Sequence, residues 1–318
     1  MRPVRNETGA VLLTTLLLMA LMAAITIAIV DDIRFSIRRT ISVQSAEQLA
    51  WFERGGEDFA KVWLENVHSE TQAELGEFIR ADNPVIFPID QGVLNIRIQD
   101  AHNCYNVNQL ANPKTKKASR QQFSQFLQLL EFDITDADIL AASIQDWVDT
   151  DTIPNSGGAE GLSYANLIPA YHAADTLMVD ISELRAVQGI DESIYQRLLP
   201  FVCAGTNTKQ NRINVNTLSL EQAPLLALLF DTQDGLNAAQ TVIAKRPLAG
   251  YDSVDQLWSL PVVVDLDQKG VGKDMTDTRT DRVKLDIYIQ YQDQTRARQV
   301  VFNLGSTGVK LVSRRSLY

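Results

Sequence analysis

Twenty-one consecutive residues, Ala10–Val30, carry no charge. At about 1.5 Å per residue, a helix of that length spans a bilayer. Apolar positions persist beyond it: Ile33, Phe35, Ile37, Ile41, Leu49, Trp51, Phe52, Phe59, Val62, Trp63 and Leu64. They fall in a stretch with no proline from Asp31 to Asn83. This pattern predicts one long N-terminal helix, amphipathic in its outer half, with Gly55-Gly56 as its weak point. Asn83-Pro84 and Pro88 end the helical region. Gly92–Asp100 then alternates in the period of a strand through Val93, Ile96 and Ile98.

Helical spacing returns over Gln121–Leu140, Ser182–Phe201 (broken at Gly189), Leu220–Leu229 and Ala238–Arg246. Asp252 or Ser253 caps a further short helix ending near Pro261. Ile213–Thr217 reads as a short strand running into a helix. Val283–Tyr291 and Arg298–Leu304 alternate strongly and Val309–Val312 more weakly, with polar turns at Asp293–Thr295 and Gly305–Gly308. Strands therefore lie near residues 93–100 and after 280, and helices fill the middle. The predicted fold class is α+β: a long N-terminal helix and an antiparallel sheet, with a large all-α insertion. The expected divisions are a leader (1–9), a membrane span (10–30), the rest of the helix with the first strands (31–103), a helical insertion (104–205), a second helical segment (206–265) and the C-terminal strands (266–318).

The leader sharpens this picture. Arg2 and Arg5 precede Gly9, and the small-residue junction Gly9-Ala10 lies before the apolar run. A secretory signal is cut after its apolar core. A cut at Gly9-Ala10 would instead leave the apolar helix on the mature chain, the logic of a pilin-type precursor. Net charge is −10, which disfavours nucleic acid, whose affinity comes from neutralising phosphates. Two cysteines, Cys104 and Cys203, are too few for a disulfide scaffold. Outside the cytoplasm they can pair, and the other reading is two buried free thiols.

Candidate chemistry is concentrated in an acidic block. From Gln121 to Leu184 there is no Lys or Arg, against eleven carboxylates. Asp133, Asp136 and Asp138 read as a solvated face. Asp149-Thr150-Asp151 follows Trp147-Val148 and enters a turn rich in Pro and Gly, with Glu160 nine residues on. Carboxylates on a bendable loop suit Ca²⁺, which takes six to eight oxygens at about 2.3–2.6 Å. Zinc would want Cys or His. The residue chemistry leaves two readings open, a Ca²⁺ site and a solvated acidic loop. Lys114, Lys116 and Lys117 read as a separate solvated loop.

Two other patterns suggest chemistry. Leu184-x-x-Val187-x-Gly189-Ile190 resembles a helix-hairpin-helix turn, which suggests a membrane-anchored DNA-binding competence-type protein as the alternative. Asp191 and Glu192 directly after it would repel phosphate, which favours protein contact. His102 and Cys104 could form a Cys/His pair, but nothing supplies an oxyanion hole or an orienting third group. The chain has no Gly-x-Ser-x-Gly, Walker or Gly-x-Gly-x-x-Gly pattern, so no enzymatic activity is expected.

Taken together, these residues resemble the K-type minor pseudopilins of the type II (general) secretion pathway. The resemblance rests on Gly9-Ala10 with its apolar run, Trp147-Val148-Asp149-x-Asp151-x-x-Pro154, Gly158-Ala159-Glu160, Pro169-Ala170-Tyr171, Ile181-Ser182-Glu183-Leu184-x-x-Val187-x-Gly189 and Ile213-Asn214-Val215-Asn216-Thr217. Thr14 stands at the fifth mature position, where most pilins resemble one another in carrying Glu. The resemblance implies a pilin-like domain with a helix-hairpin-helix/SAM-like insertion. It also implies bound Ca²⁺ with Asp149, Asp151 and Glu160 as ligands, and Asp180 and Asp175 behind them. Implied partners are I-type and J-type minor pseudopilins in a tip complex, a prepilin peptidase, the inner membrane, and secreted substrates or the outer-membrane channel; nucleic acid is not among them. Gly161-Leu162-Ser163-Tyr164 departs from the pattern where a further acid would follow Glu160.

Overall fold

The computed structural model describes residues 8–70, 72–230, 234–264, 266, 271–306 and 308–317. The leader residues Met1–Glu7 lie outside them. Helix α1 (Thr8–Glu70) is followed by α2 (Gln72–Ala81). Every side chain from Gly9 to Gln44 is exposed, so about 50 Å of helix stands clear of the globular part. Inward positions then recur at helical spacing: Leu49, Glu53, Gly56, Glu57, Ala60 and Leu64 are buried. The Gly55-Gly56 pair does not interrupt the helix. Gly56 faces the sheet, where an added Cβ would come 3.3 Å from Leu94, so the missing side chain lets the helix lie close.

Strands β1 (Val85–Ile89) and β2 (Gly92–Asp100) form a hairpin. The chain then leaves the sheet through β3 (Tyr105–Asn106), a 3₁₀ turn (Val107–Ala111), α3 (Lys116–Leu129), α4 (Ile134–Val148) and α5 (Gly161–Ala165). A second 3₁₀ turn (Ile181–Ala186), α6 (Glu192–Leu198), β4 (Val202–Cys203) and β5 (Ile213–Asn214) follow. Helices α7 (Ala223–Ala227), α8 (Gly235–Ala244), α9 (Val254–Trp258) and α10 (Val271–Asp274) lead to β6 (Thr276–Asp277). The sheet resumes with β7 (Arg282–Tyr291), β8 (Gln294–Gly305) and β9 (Gly308–Ser316). Its order is β1-β2-β7-β8-β9, antiparallel throughout.

Several local expectations differ from the structure. Met275 packs with the helices and β6 pairs with β5, so the sheet's return begins only at Arg282. The Gln121–Leu140 region is two helices: Glu131 takes a left-handed backbone (φ 64°) and Asp133 caps α4 through Thr135 N. Part of the Ser182–Phe201 region is a 3₁₀ turn. Strand β1 contains Pro88, which the sequence marks as a breaker; as the sheet's edge strand, β1 tolerates the missing donor.

One face of the sheet packs on α1 through Leu94, Ile96, Leu285, Ile287, Val300 and Phe302. Two buried glutamates of α1 meet arginines of the sheet: Arg298 Nη2 lies 2.8 Å from Glu53, and the Arg314 guanidinium forks onto Glu57. The helices form one continuous core from Tyr105 to Val263, so residues 104–205 and 206–265 fold as a single body.

That body contains the same plan twice. Tyr105-Asn106-Val107-Asn108 and Ile213-Asn214-Val215-Asn216 each open on a short strand that pairs in parallel with the end of its own unit, β3 with β4 and β5 with β6. The Asn108 side chain bonds both the N–H and the C=O of Met178, and Asn216 does the same to Tyr251. Two residues on, Asp180 and Ser253 cap the next helical turn. Glu183 and Gln256 reach back to the amides of Val179 and Asp252. The units differ in what joins their second long helix to this anchor. The first inserts residues 149–177, and the second uses only Lys245–Gly250.

The body is tied to the sheet at a buried carboxylate. Asp100, at the end of β2, accepts hydrogen bonds from His102 N, Asn214 Nδ2, Thr217 Oγ1 and Thr280 Oγ1 at 2.8–2.9 Å. Cys104 and Cys203 are joined in a disulfide. His102 bonds Asp281 at 2.7 Å, and the disulfide leaves Cys104 no thiol to pair with it.

Candidate metal centre

Helix α4 carries acids at both ends, and those at its C-terminal end oppose its own dipole. Asp146 lies in its last turn and Asp149 is its C-cap, with no basic residue in that turn. Carboxylates at the negative end of a helix are disfavoured unless a cation answers them. The following loop folds back over this end. Asp146 is fully buried and accepts from Asn155 through both the backbone and the side-chain amide. At Gly158, a Cβ would collide with the Asp146 carboxylate. This clasp brings Glu160 back to α4.

The result is a cluster in which one carboxylate oxygen each of Asp149, Asp151 and Glu160 lie within 4.8 Å of one another. Asp149 and Glu160 are buried and Asp151 faces solvent. Both Glu160 oxygens are buried and receive no hydrogen bond among the described residues, as is the case for Asp175 Oδ1. Burial, followed by the negative charges of Asp146, Asp175, Asp149 and Asp151, pushes the Glu160 pKa up to about 7. Burial also raises the Asp146 and Asp149 carboxyls, whereas the bond to Lys116 holds Asp151 below the usual range. Trp147 packs edge-on against Tyr164 of α5 at 5.2 Å and fixes the loop's far side.

Of the predicted ligands, Asp149, Asp151 and Glu160 are brought together. Asp175 is near enough to act on Glu160 electrostatically. Asp180 is not brought into this cluster: it caps the turn Ile181–Ala186 and pairs with Arg315 of β9 at 2.7 Å. Lys116 corrects a further expectation. It begins α3 and its ammonium contacts Asp149 Oδ2 at 2.7 Å and also Asp151 Oδ2. Arg120, one turn on, reaches Asn155. The block without a base in sequence has two in space, and their spacing of four residues on one helix face was the available signal. Asp146 was likewise missed as the residue that shapes the loop.

After the hairpin-like turn Leu184–Ile190, Asp191 caps α6 through Ile194 N (2.8 Å) and Glu192 pairs with Arg185. The amide a phosphate would approach is already answered by a carboxylate, which leaves the DNA-binding alternative without support.

A bilayer-length apolar helix that continues into a sheet-backed globular part, with a helical body inserted between two adjacent strands, is the plan of a minor pseudopilin. The profile of "Type II secretion system (T2SS), protein K" matches residues 103–207 and 213–278. The type II secretion system protein K of Pectobacterium carotovorum is 33% identical over 260 residues, covering 79% of both chains. That of Aeromonas hydrophila is 33% identical over 261 residues, covering 78% of both. A solved GspK–GspI–GspJ complex from the type 2 secretion system of enterotoxigenic Escherichia coli contains a chain that superposes with TM-score 0.75 at 27% identity. The match covers 88% of this chain and 99% of that one. The chain belongs to the type II secretion system protein K family, a structural family of the secretion apparatus. Among the described residues, one helix is long and apolar enough to serve as its membrane anchor.

Proposed function

We propose that this chain caps a periplasmic pseudopilus as part of a tip complex with I-type and J-type minor pseudopilins, and does no chemistry itself. The likeness to a chain solved within a GspK–GspI–GspJ complex carries this reading. The free half of α1 would lie first in the inner membrane and then among neighbouring helices, held by van der Waals packing. Thr14 bonds back to Val11 O within its own helix. It brings no charge into the bilayer and asks for no partner above it. A prepilin peptidase would cut at Gly9-Ala10, with methylation of the new terminus. The helical body would face secreted proteins or the outer-membrane channel.

The same reading includes Ca²⁺ held by Asp149, Asp151 and Glu160, with Asp175 close by. What supports it is donor chemistry: two buried Glu160 oxygens without a donor, on a bendable loop of hard oxygen ligands. The ion would neutralise the negative end of α4 and fasten the loop.

The deciding experiment is the intact mass of the membrane-extracted N-terminus with and without the peptidase. A peptidase-dependent start at N-methylated Ala10, lost in Gly9→Ala, is expected. A start at Met1, or unchanged processing of Gly9→Ala, would overturn the pseudopilus reading.

A further inference from the structure

Lys116 sits where nothing in its own helix favours it. It is the first residue of α3, and that first turn holds no acid; a positive charge there meets the positive end of the helix dipole. Its ammonium nevertheless crosses to the metal cluster and contacts Asp149 and Asp151 together. The side chain is 31% exposed, whereas that of Asp149 is 4% exposed. The lysine therefore supplies the positive charge that the end of α4 lacks. It answers only part of the cluster, since both buried Glu160 oxygens remain without a donor.

We propose that Lys116 is the resident cation of this site: its ammonium stands in for the divalent ion while the site is free and must leave the two carboxylates when the ion binds. This rests on the Ca²⁺ reading above. Two consequences follow from electrostatics. A divalent ion wins because it carries two charges and reaches all three carboxylates, so the lysine acts as a threshold against weak or monovalent cations. The ion-free loop also stays closed, because its acids are never left wholly unanswered.

The test is calorimetric titration of Ca²⁺ into the chelator-treated, detergent-solubilised full chain, as wild type, Lys116→Met and Lys116→Arg. Thermal midpoints in EDTA and in saturating Ca²⁺ accompany each titration. Lys116→Met is expected to bind Ca²⁺ about tenfold more tightly, since its competitor is gone. It should melt below wild type in EDTA and level with wild type in Ca²⁺. Lys116→Arg, which keeps the charge, should stay near wild type in both. Wild-type binding with equal or weaker affinity in Lys116→Met would overturn the role of the lysine and leave the metal site standing. No binding by any of the three would remove the metal site and this proposal together.

Discussion

A carboxyl group in this protein behaves according to how deeply it is buried and who answers it. Asp151 and Asp180 have cations in contact and are held low; Glu160 has acids around it and is pushed up to about 7. A group whose folded pKa lies above its unfolded value of about 4.5 binds more protons folded than unfolded through that window. Its contribution to stability is therefore greatest below about pH 4.5 and is lost as pH rises to about 7. Asp146 and Asp149 shift the same way. In EDTA, the thermal midpoint is expected to fall between pH 5.5 and 7.5. In saturating Ca²⁺, where the ion replaces the proton, that fall should vanish. Parallel curves in the two buffers would contradict the assignment. Likewise, Asp149→Ala with Asp151→Ala is expected to lower the midpoint by about 5–8 °C in Ca²⁺, from roughly 2–3 kcal/mol of lost binding, and by less in EDTA, where only the contacts with Lys116 are lost. Calorimetry in both buffers reads this directly.

Among the elements, α1 is both tether and core. Its inner half is fixed to the sheet by apolar packing and by Glu53 and Glu57, which enter that packing only because Arg298 and Arg314 come across from β8 and β9. Arg298→Ala leaves Glu53 buried, with Arg296 at 3.8 Å its remaining partner. A loss of about 2–3 kcal/mol is expected, visible as a lower denaturant midpoint of the full chain in detergent. Strand β9 showed only through its first residues, Val309–Val312, whereas the helix and strands β7 and β8 were legible in the sequence because their apolar periods are sustained. Strand β1 was not, because Pro84 and Pro88 announce a break and only the topology shows that the strand lies at an edge. The contact of Lys116 with Asp149 could not be read locally either. The four-residue spacing of Lys116 and Arg120 puts two bases on one face of α3, but only the packing of α3 on α4 sets which acids they meet.

In the whole molecule, the helical body leaves the sheet after Asp100 and returns at Arg282, and these strand ends are neighbours: Asp100 stands opposite Val283, and Ala101 N donates to Arg282 O. The disulfide closes a loop of 99 residues within that body, an arrangement limiting the unfolded chain by up to about 5 kcal/mol in the chain-entropy model. Reduction is expected to lower the midpoint and to speed amide exchange in residues 104–203, while β7 and β8 keep their protection. Uniform loss across both parts would show that they melt as one. The sequence correctly implied that helices interrupt a sheet. It did not reveal that the two helical segments share one core, since that follows from packing between units far apart in the chain.

The doubled asparagine-anchored plan has a consequence for descent. Two units with the same strand pairing, the same asparagine clamp and the same reach-back cap are what a duplicated segment leaves behind once its copies drift. On that view the second copy, with its six-residue link Lys245–Gly250, keeps the shorter form, and residues 149–177 are an embellishment of the first copy alone. A chain in which that stretch is exchanged for the short link should therefore still fold. Whatever the body gained beyond folding would have arrived with those twenty-nine residues.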